Sequence, residues 1–162
     1  MNRSQGWTLG ALTGSLLGGL AVTGLMVGGE IAEKAPSELI QLGRATAGRL
    51  GLGDPADEAL PSIGEQAFVQ GGHLALSALG GLAYASAFDE EAPVVLSGLL
   101  FGVAFYLAAH VVTGPALRVK PPEWRQAPAN IGKHVIVHGL FGLLIAYAAR
   151  KGASVIDKEL RS

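Results

Sequence analysis

The sequence predicts an all-α integral membrane protein, a four-helix bundle with a short amphipathic helix in its first connection. Three observations carry that prediction. The stretches 7–29, 66–88, 92–117 and 134–149 hold no Asp, Glu, Lys or Arg, and a helix needs about 20 largely apolar residues to cross the hydrocarbon layer. Charged residues make up only 15% of the chain and mean hydropathy is +0.39, whereas roughly a quarter of a soluble domain is charged. Glycine occurs 24 times in 162 residues, and helices that meet in lipid favour small residues at their contacts. The length suits one transmembrane domain, 1–162.

The first helix is expected over about 7–30. Arg3 is the one basic residue before it, its apolar stretch is longer than a signal peptide's core, and no small-residue cleavage site follows, so it reads as a retained helix. Gly10, Gly14 and Gly18 recur every four residues, as do Gly24 and Gly28, which makes a flat strip where another backbone can approach. That strip is a candidate face for a membrane-protein partner or a homo-oligomer.

Between the first two spans, Pro36 and Ser37 suit a helix start, and Leu39, Leu42, Thr46 and Leu50 recur at helical spacing. A surface helix over about 37–50 follows, ended by Gly51 and Gly53, and Asp54–Pro55 reads as a second, short helix start. Ser62 and Glu65 form a capping-box pattern ahead of the second span, about 64–88. A tight acidic loop, Asp89–Glu90–Glu91, leads to the third, about 92–117, which ends near Gly114 and Pro115. A polar stretch with Pro121, Pro122 and Trp124 follows, the indole suited to headgroup level. The last span, about 130–150, is flanked by Lys133 and Arg150, whose side chains can snorkel, and Lys151–Ser162 reads as a short charged tail. Lysine and arginine number five on one side and seven on the other, too even to assign an orientation.

Several chemistries are excluded. The chain has no cysteine, so disulfides, thiolate metal sites and cysteine nucleophiles are absent. A net charge of −1 gives no basic patch for nucleic acid. Gly10–Gly19 lacks a P-loop lysine, and His134-x-x-x-His138 has Val135 where a zinc protease needs glutamate.

The remaining candidates are the histidines. His73, His110, His134 and His138 all fall in predicted spans. At 1.5 Å per residue His73 and His110 lie about 12 Å, and His138 about 7 Å, from the same end of the bundle. Glu30 closes the first helix at that end. The polar residues also share faces: Gln66, Gln70, His73 and Ser77; Tyr106, His110 and Thr113; His134 and His138; Thr23, Val27 and Glu30. Such stripes turned inward make a polar core beneath one membrane surface. Imidazoles with a carboxylate can ligate zinc, iron or copper; two imidazoles can clasp a haem iron; histidines with glutamates can pass or sense protons; or the four can form a hydrogen-bonded structural network. The preferred ligands for a metal or haem are His73, His110 and His138. His134 and Glu30 are further metal candidates, with Gln70 and Tyr106 as supporting partners.

The chain resembles the YagU-like family of bacterial inner-membrane proteins, whose biochemical function is unknown. The matching residues are Gly28-Gly29-Glu30, Pro36-Ser37, Gly72-His73, His110 ahead of Pro115, Pro121-Pro122, Val137-His138 and Arg150-Lys151, spread over 10–151. The resemblance implies multi-pass residence in the inner membrane and a loose link to acid tolerance, and it implies no catalytic residues. His134 falls outside the family pattern. The sequence reading is thus a small inner-membrane protein with a histidine-rich intramembrane site for a transition metal or haem. An accessory or assembly subunit of a larger membrane complex and a proton-linked or pH-responsive membrane protein are the alternatives. No enzyme motif is present.

Overall fold

The computed structural model describes residues 2–52, 59–116, 118 and 121–159, without the side chains of 158 and 159. The Asp54–Pro55 start, Gly53, Leu117 and Lys120 lie outside the described residues. The described chain is all-α. α1 spans Arg3–Glu33, α2 Glu38–Arg49 and α3 Ile63–Ala87. α4 (Val94–Tyr106) passes through a π-helical segment, Leu107–Thr113, into a last turn, α5 (Gly114–Ala116). A 3-10 turn, Glu123–Arg125, precedes α6 (Pro128–Glu159).

The helix starts follow local chemistry. Asn2 and Gln5 cap each other's backbone at α1, which carries that helix ahead of Trp7. Ser37 caps α2 through Ile40 N, and Ser62 caps α3 through Glu65 N. The expected reciprocal half of the Ser62–Glu65 box is displaced: both Glu65 oxygens accept from Arg44, at 2.7 and 2.9 Å. A bidentate charged pair outweighs one backbone N–H, and it ties α2 to α3. Ile40 is fully buried beneath α2, and Gly43 lets α2 settle on Val69.

α6 is the central element. It packs along both α1 and α4, while α3 lies against α1 and reaches α4 through Tyr84, whose hydroxyl is 2.7 Å from Ser97 Oγ and whose ring meets Phe101 edge-on. The glycines set these approaches. A Cβ at Gly10 would strike the Ala148 carbonyl, and one at Gly14 would come within 2.7 Å of Ala148 Cβ. The strip at Gly10, Gly14 and Gly18 is therefore filled by α6 of the same chain. Gly24 and Gly28, a separate pair with the same spacing, meet nothing within 4 Å. Gly98 and Gly102 of α4 face Gly142 and the His138 carbonyl of α6 in the same backbone-to-backbone manner.

The sequence 151–159 is helical rather than a charged tail. Ala149, Ala153 and Ile156 continue one buried stripe, and Gly152 fits against the Gly6 carbonyl. Arg3 meanwhile pairs with Glu90 at 2.9 Å and Glu91 at 2.6 Å. Charge density misled the sequence reading here, because the charges occupy the outer face of a helix whose inner face stays apolar. Truncation after Arg150 should therefore lower the melting temperature in detergent; an unchanged transition would show that this stripe contributes nothing.

Among the described residues, three helices are long and apolar enough to cross a membrane: Arg3–Glu33, Val94–Ala116 and Pro128–Asp157. α3 is not among them, since Glu65, Gln66, Gln70 and His73 dilute its first half. Large apolar side chains nonetheless face outward on every long helix: Leu25 is 73% exposed, Phe68 84%, Val95 64% and Leu140 62%. A soluble monomer rarely shows so continuous an apolar exterior.

Candidate cation site at the mouth of the bundle

Four segments converge where α2 and the 3-10 turn meet the ends of α4 and α6. His110 sits in the π-helical segment just before Pro115. Proline has no N–H to give and its ring crowds the preceding turn, so a widened turn ahead of it relieves the backbone. His134 and His138 stand one turn apart on α6. The ring centroids of His110 and His134 are 4.3 Å apart and stacked, and His138 meets His110 edge-on at 4.9 Å. Tyr106 stacks on His110 at 5.6 Å and Phe105 lies beside His138 at 5.9 Å, closing the inner side.

Two carboxylates complete the group. Glu123 is only 2% exposed, and its Oε1 lies 2.6 Å from His134 Nδ1 while Oε2 is 3.8 Å from His110 Nδ1. Glu38, in the first turn of α2, brings Oε2 to 2.8 Å from His134 Nε2. One ligand-type atom each from Glu38, His110 and His134 lies within 4.8 Å of the others. His134 thus has a carboxylate at each ring nitrogen. That arrangement is satisfied by an imidazolium, or by a cation shared between Nε2 and Glu38 with Glu123 holding the Nδ1–H.

The other predicted residues occupy a second polar tract. His73 Nδ1 lies 3.2 Å from Thr23 Oγ1, and Thr23 Oγ1 donates to Gln70 Oε1 at 2.9 Å. Gln70 Nε2 donates to Gln66 Oε1 at 3.2 Å, and Gln66 Nε2 donates to Glu30 Oε2 in a short contact. Glu30 is 4% exposed, and its other oxygen accepts from Ser37 N at 3.2 Å. The structure therefore brings His110, His134 and His138 together, and joins His73 to Glu30 by a chain between α1 and α3. The stripes expected on those two helices do meet, but as a hydrogen-bonded ladder. Thr113 is exposed.

Glu38 and Glu123 were missed as candidates. Glu38 resembles an ordinary acidic residue in the first turn of a helix, stabilised by the dipole. Glu123 stands in a proline-rich connection, whose fold back onto α6 no periodicity announces. Its one signal was a lone acid following Pro121-Pro122 at the histidine end of the bundle.

Comparison of the chain with protein-family models, curated proteins and solved structures gives no match.

Proposed function

We propose that this chain is an inner-membrane protein of four spanning helices that binds a divalent transition-metal ion, zinc or ferrous iron, at the mouth of its bundle. The observation that carries the reading is the convergence of one ligand-type atom each from Glu38, His110 and His134 to within 4.8 Å of one another. Two imidazoles and a carboxylate are a donor set for zinc or non-haem iron. Glu123 at the Nδ1 side of both rings is the outer carboxylate that orients a ligating histidine and raises its basicity. Haem fits less well, because rings in direct contact at 4.3 and 4.9 Å leave no layer for a porphyrin between them. The apolar exterior supports α3 as a fourth span despite its polar inner stripe: Phe68, Leu76 and Leu79 face outward while Gln70 and Ser77 face in. The inner-membrane assignment rests on the resemblance to the YagU-like family. We read the protein as a binding protein rather than an enzyme.

Two measurements test this. The protein should stay with membranes through an alkaline carbonate wash; release to the supernatant would overturn the membrane reading. Purified full-length protein titrated with Zn(II) should take up one equivalent at the outer site and unfold at a higher temperature, since an ion that binds only the native state stabilises it. Glu38→Gln should weaken that uptake with little change in the stability of the metal-free protein, because Glu38 is exposed. Absence of Zn(II) and Fe(II) binding would overturn the metal reading.

A further inference from the structure

Glu38 comes to the cation site on a surface helix. Its side chain is 48% exposed, so where its carboxylate sits follows from where α2 sits. α2 meets α3 through one face. At about 100° of turn per residue, Ile40, Gly43 and Arg44 fall within about 100° of arc, and Glu38 leaves the helix on the opposite side. Ile40 is fully buried, a Cβ at Gly43 would come within 2.8 Å of Val69 Cγ2, and Arg44 is 7% exposed. Arg44 Nε and Nη2 donate to the two oxygens of Glu65 at 2.7 and 2.9 Å, and Nη1 donates to the Ala59 carbonyl at 2.9 Å. α2 is therefore a bridge. Its one side is fastened to α3, and its other side carries Glu38 Oε2 to 2.8 Å from His134 Nε2 on α6.

The fastenings differ in what they can fix. Apolar burial, as at Ile40, is non-directional and tolerates a roll of the helix about its axis. The bond from Ser37 N to Glu30 holds the start of α2, but a backbone nitrogen lies close to the axis and resists rolling little. The Arg44–Glu65 pair is different in kind. A planar guanidinium bonded through two nitrogens to two carboxylate oxygens accepts one relative orientation. The pair is partly buried, so salt and water screen it less than a surface pair. It also stands six residues, about 9 Å, along the axis from Glu38, far enough to control the tilt of α2 as well as its roll.

We propose that Arg44 is a positioning residue for the metal site: through its bidentate pair with Glu65 it sets the roll and tilt of α2, and so delivers the Glu38 carboxylate to the ion. Arg44 touches neither the ion nor a ligand atom in this role, and its whole effect on binding passes through Glu38. The inference rests on the metal reading above and adds to it the origin of the third ligand. His110 and His134 come from long helices that pack on each other. Glu38 alone comes from an element outside the bundle, and Arg44 makes that element part of the site.

The test is a double-mutant cycle on full-length protein in detergent, read by isothermal titration with Zn(II). Arg44→Lys keeps the charge but replaces the fork by a point, and it should weaken binding about tenfold, as loss of an outer partner does. In a Glu38→Gln background, where His110 and His134 remain as donors, the same substitution should change affinity by less than about twofold. A purely structural role for Arg44 gives instead the same loss in both backgrounds. Glu65→Gln attacks the pair from α3 and should behave like Arg44→Lys, which keeps the test available if that variant misfolds. A second readout needs no metal. The chain has no cysteine, so nitroxide labels at Thr46→Cys on α2 and Asn130→Cys at the start of α6, both exposed, report the separation of the two helices. Arg44→Lys should broaden that distance distribution. Failure of wild type to bind Zn(II) would overturn the metal reading and this inference with it. The metal reading stands and the inference falls if wild type binds Zn(II) while both pair variants bind as tightly, if the loss is equal with and without Glu38, or if the label distances do not change.

Discussion

His134→Ala is expected to weaken Zn(II) binding by roughly 100-fold or more, beyond the tenfold to hundredfold loss typical of an outer partner of a metal ligand. The expectation follows from the place of one ring. His134 Nε2 is 2.8 Å from Glu38, its Nδ1 is 2.6 Å from Glu123, and its face stacks on His110. Removing it deletes a ligand and the contacts it makes with both carboxylates and the second imidazole. Glu123, only 2% exposed, loses its 2.6 Å contact with His134 Nδ1, and loss of a contact to a buried acid is destabilising. The variant should thus be less stable even without metal. Glu123→Gln separates the two effects. The amide carbonyl can still accept from His134 Nδ1–H but makes a weaker, uncharged hydrogen bond to the ring, so Zn(II) affinity should fall about 10–100-fold with the fold retained. Isothermal titration of each variant beside wild type checks both values, and a His134→Ala isotherm that overlays wild type would sink the site.

The parts of this protein that were legible in its sequence are those governed by local periodicity. Uncharged runs marked the long helices, and Ser37 and Ser62 marked the starts of α2 and α3. The polar stripes told which faces turn inward: Gln66 and Gln70 do meet Thr23 and Glu30. What periodicity could not say was how far each helix is rotated and which stripe faces which. Depth and shared polar stripes grouped His73 with His110 and His138, but the rotation of α3 puts His73 Nδ1 against Thr23 of α1, so His73 joins the α1–α3 ladder. Glu38 and Glu123 belong to a surface helix and a proline-bearing turn, whose placement depends on tertiary ties such as Arg44–Glu65 rather than on any repeat. The end of α6 was misread for a related reason. Charge density is an average over all faces, and only Ala149, Ala153 and Ile156, taken as a stripe, reveal the helix.

Gly142→Leu is expected to damage both the fold and the cation site, because one crossing determines the two. A Cβ at Gly142 would run into the Gly98 carbonyl and come within 2.8 Å of Gly102 N and 3.0 Å of Gly102 Cα. All three are backbone atoms, which cannot swing aside as a side-chain end can. Overpacking of this kind costs about 1–3 kcal/mol, occasionally more, and relief requires α4 to move away from α6. That movement separates His110, which α4 leads into, from His134 and His138 on α6. Zn(II) affinity should therefore fall together with the melting temperature. Two other substitutions give the comparison its meaning. Gly10→Leu would press α1 off α6 at Ala148 and Ala149 while leaving the α4–α6 crossing intact, so it should lower stability with a smaller effect on Zn(II). Gly28→Ala meets nothing within 4 Å, and alanine costs less backbone entropy in a helix than glycine, so stability should hold or rise slightly. Thermal unfolding and Zn(II) titration of the three variants form one experiment. If Gly142→Leu binds Zn(II) as wild type does, then the glycine crossing does not hold the imidazoles of α4 and α6 in register.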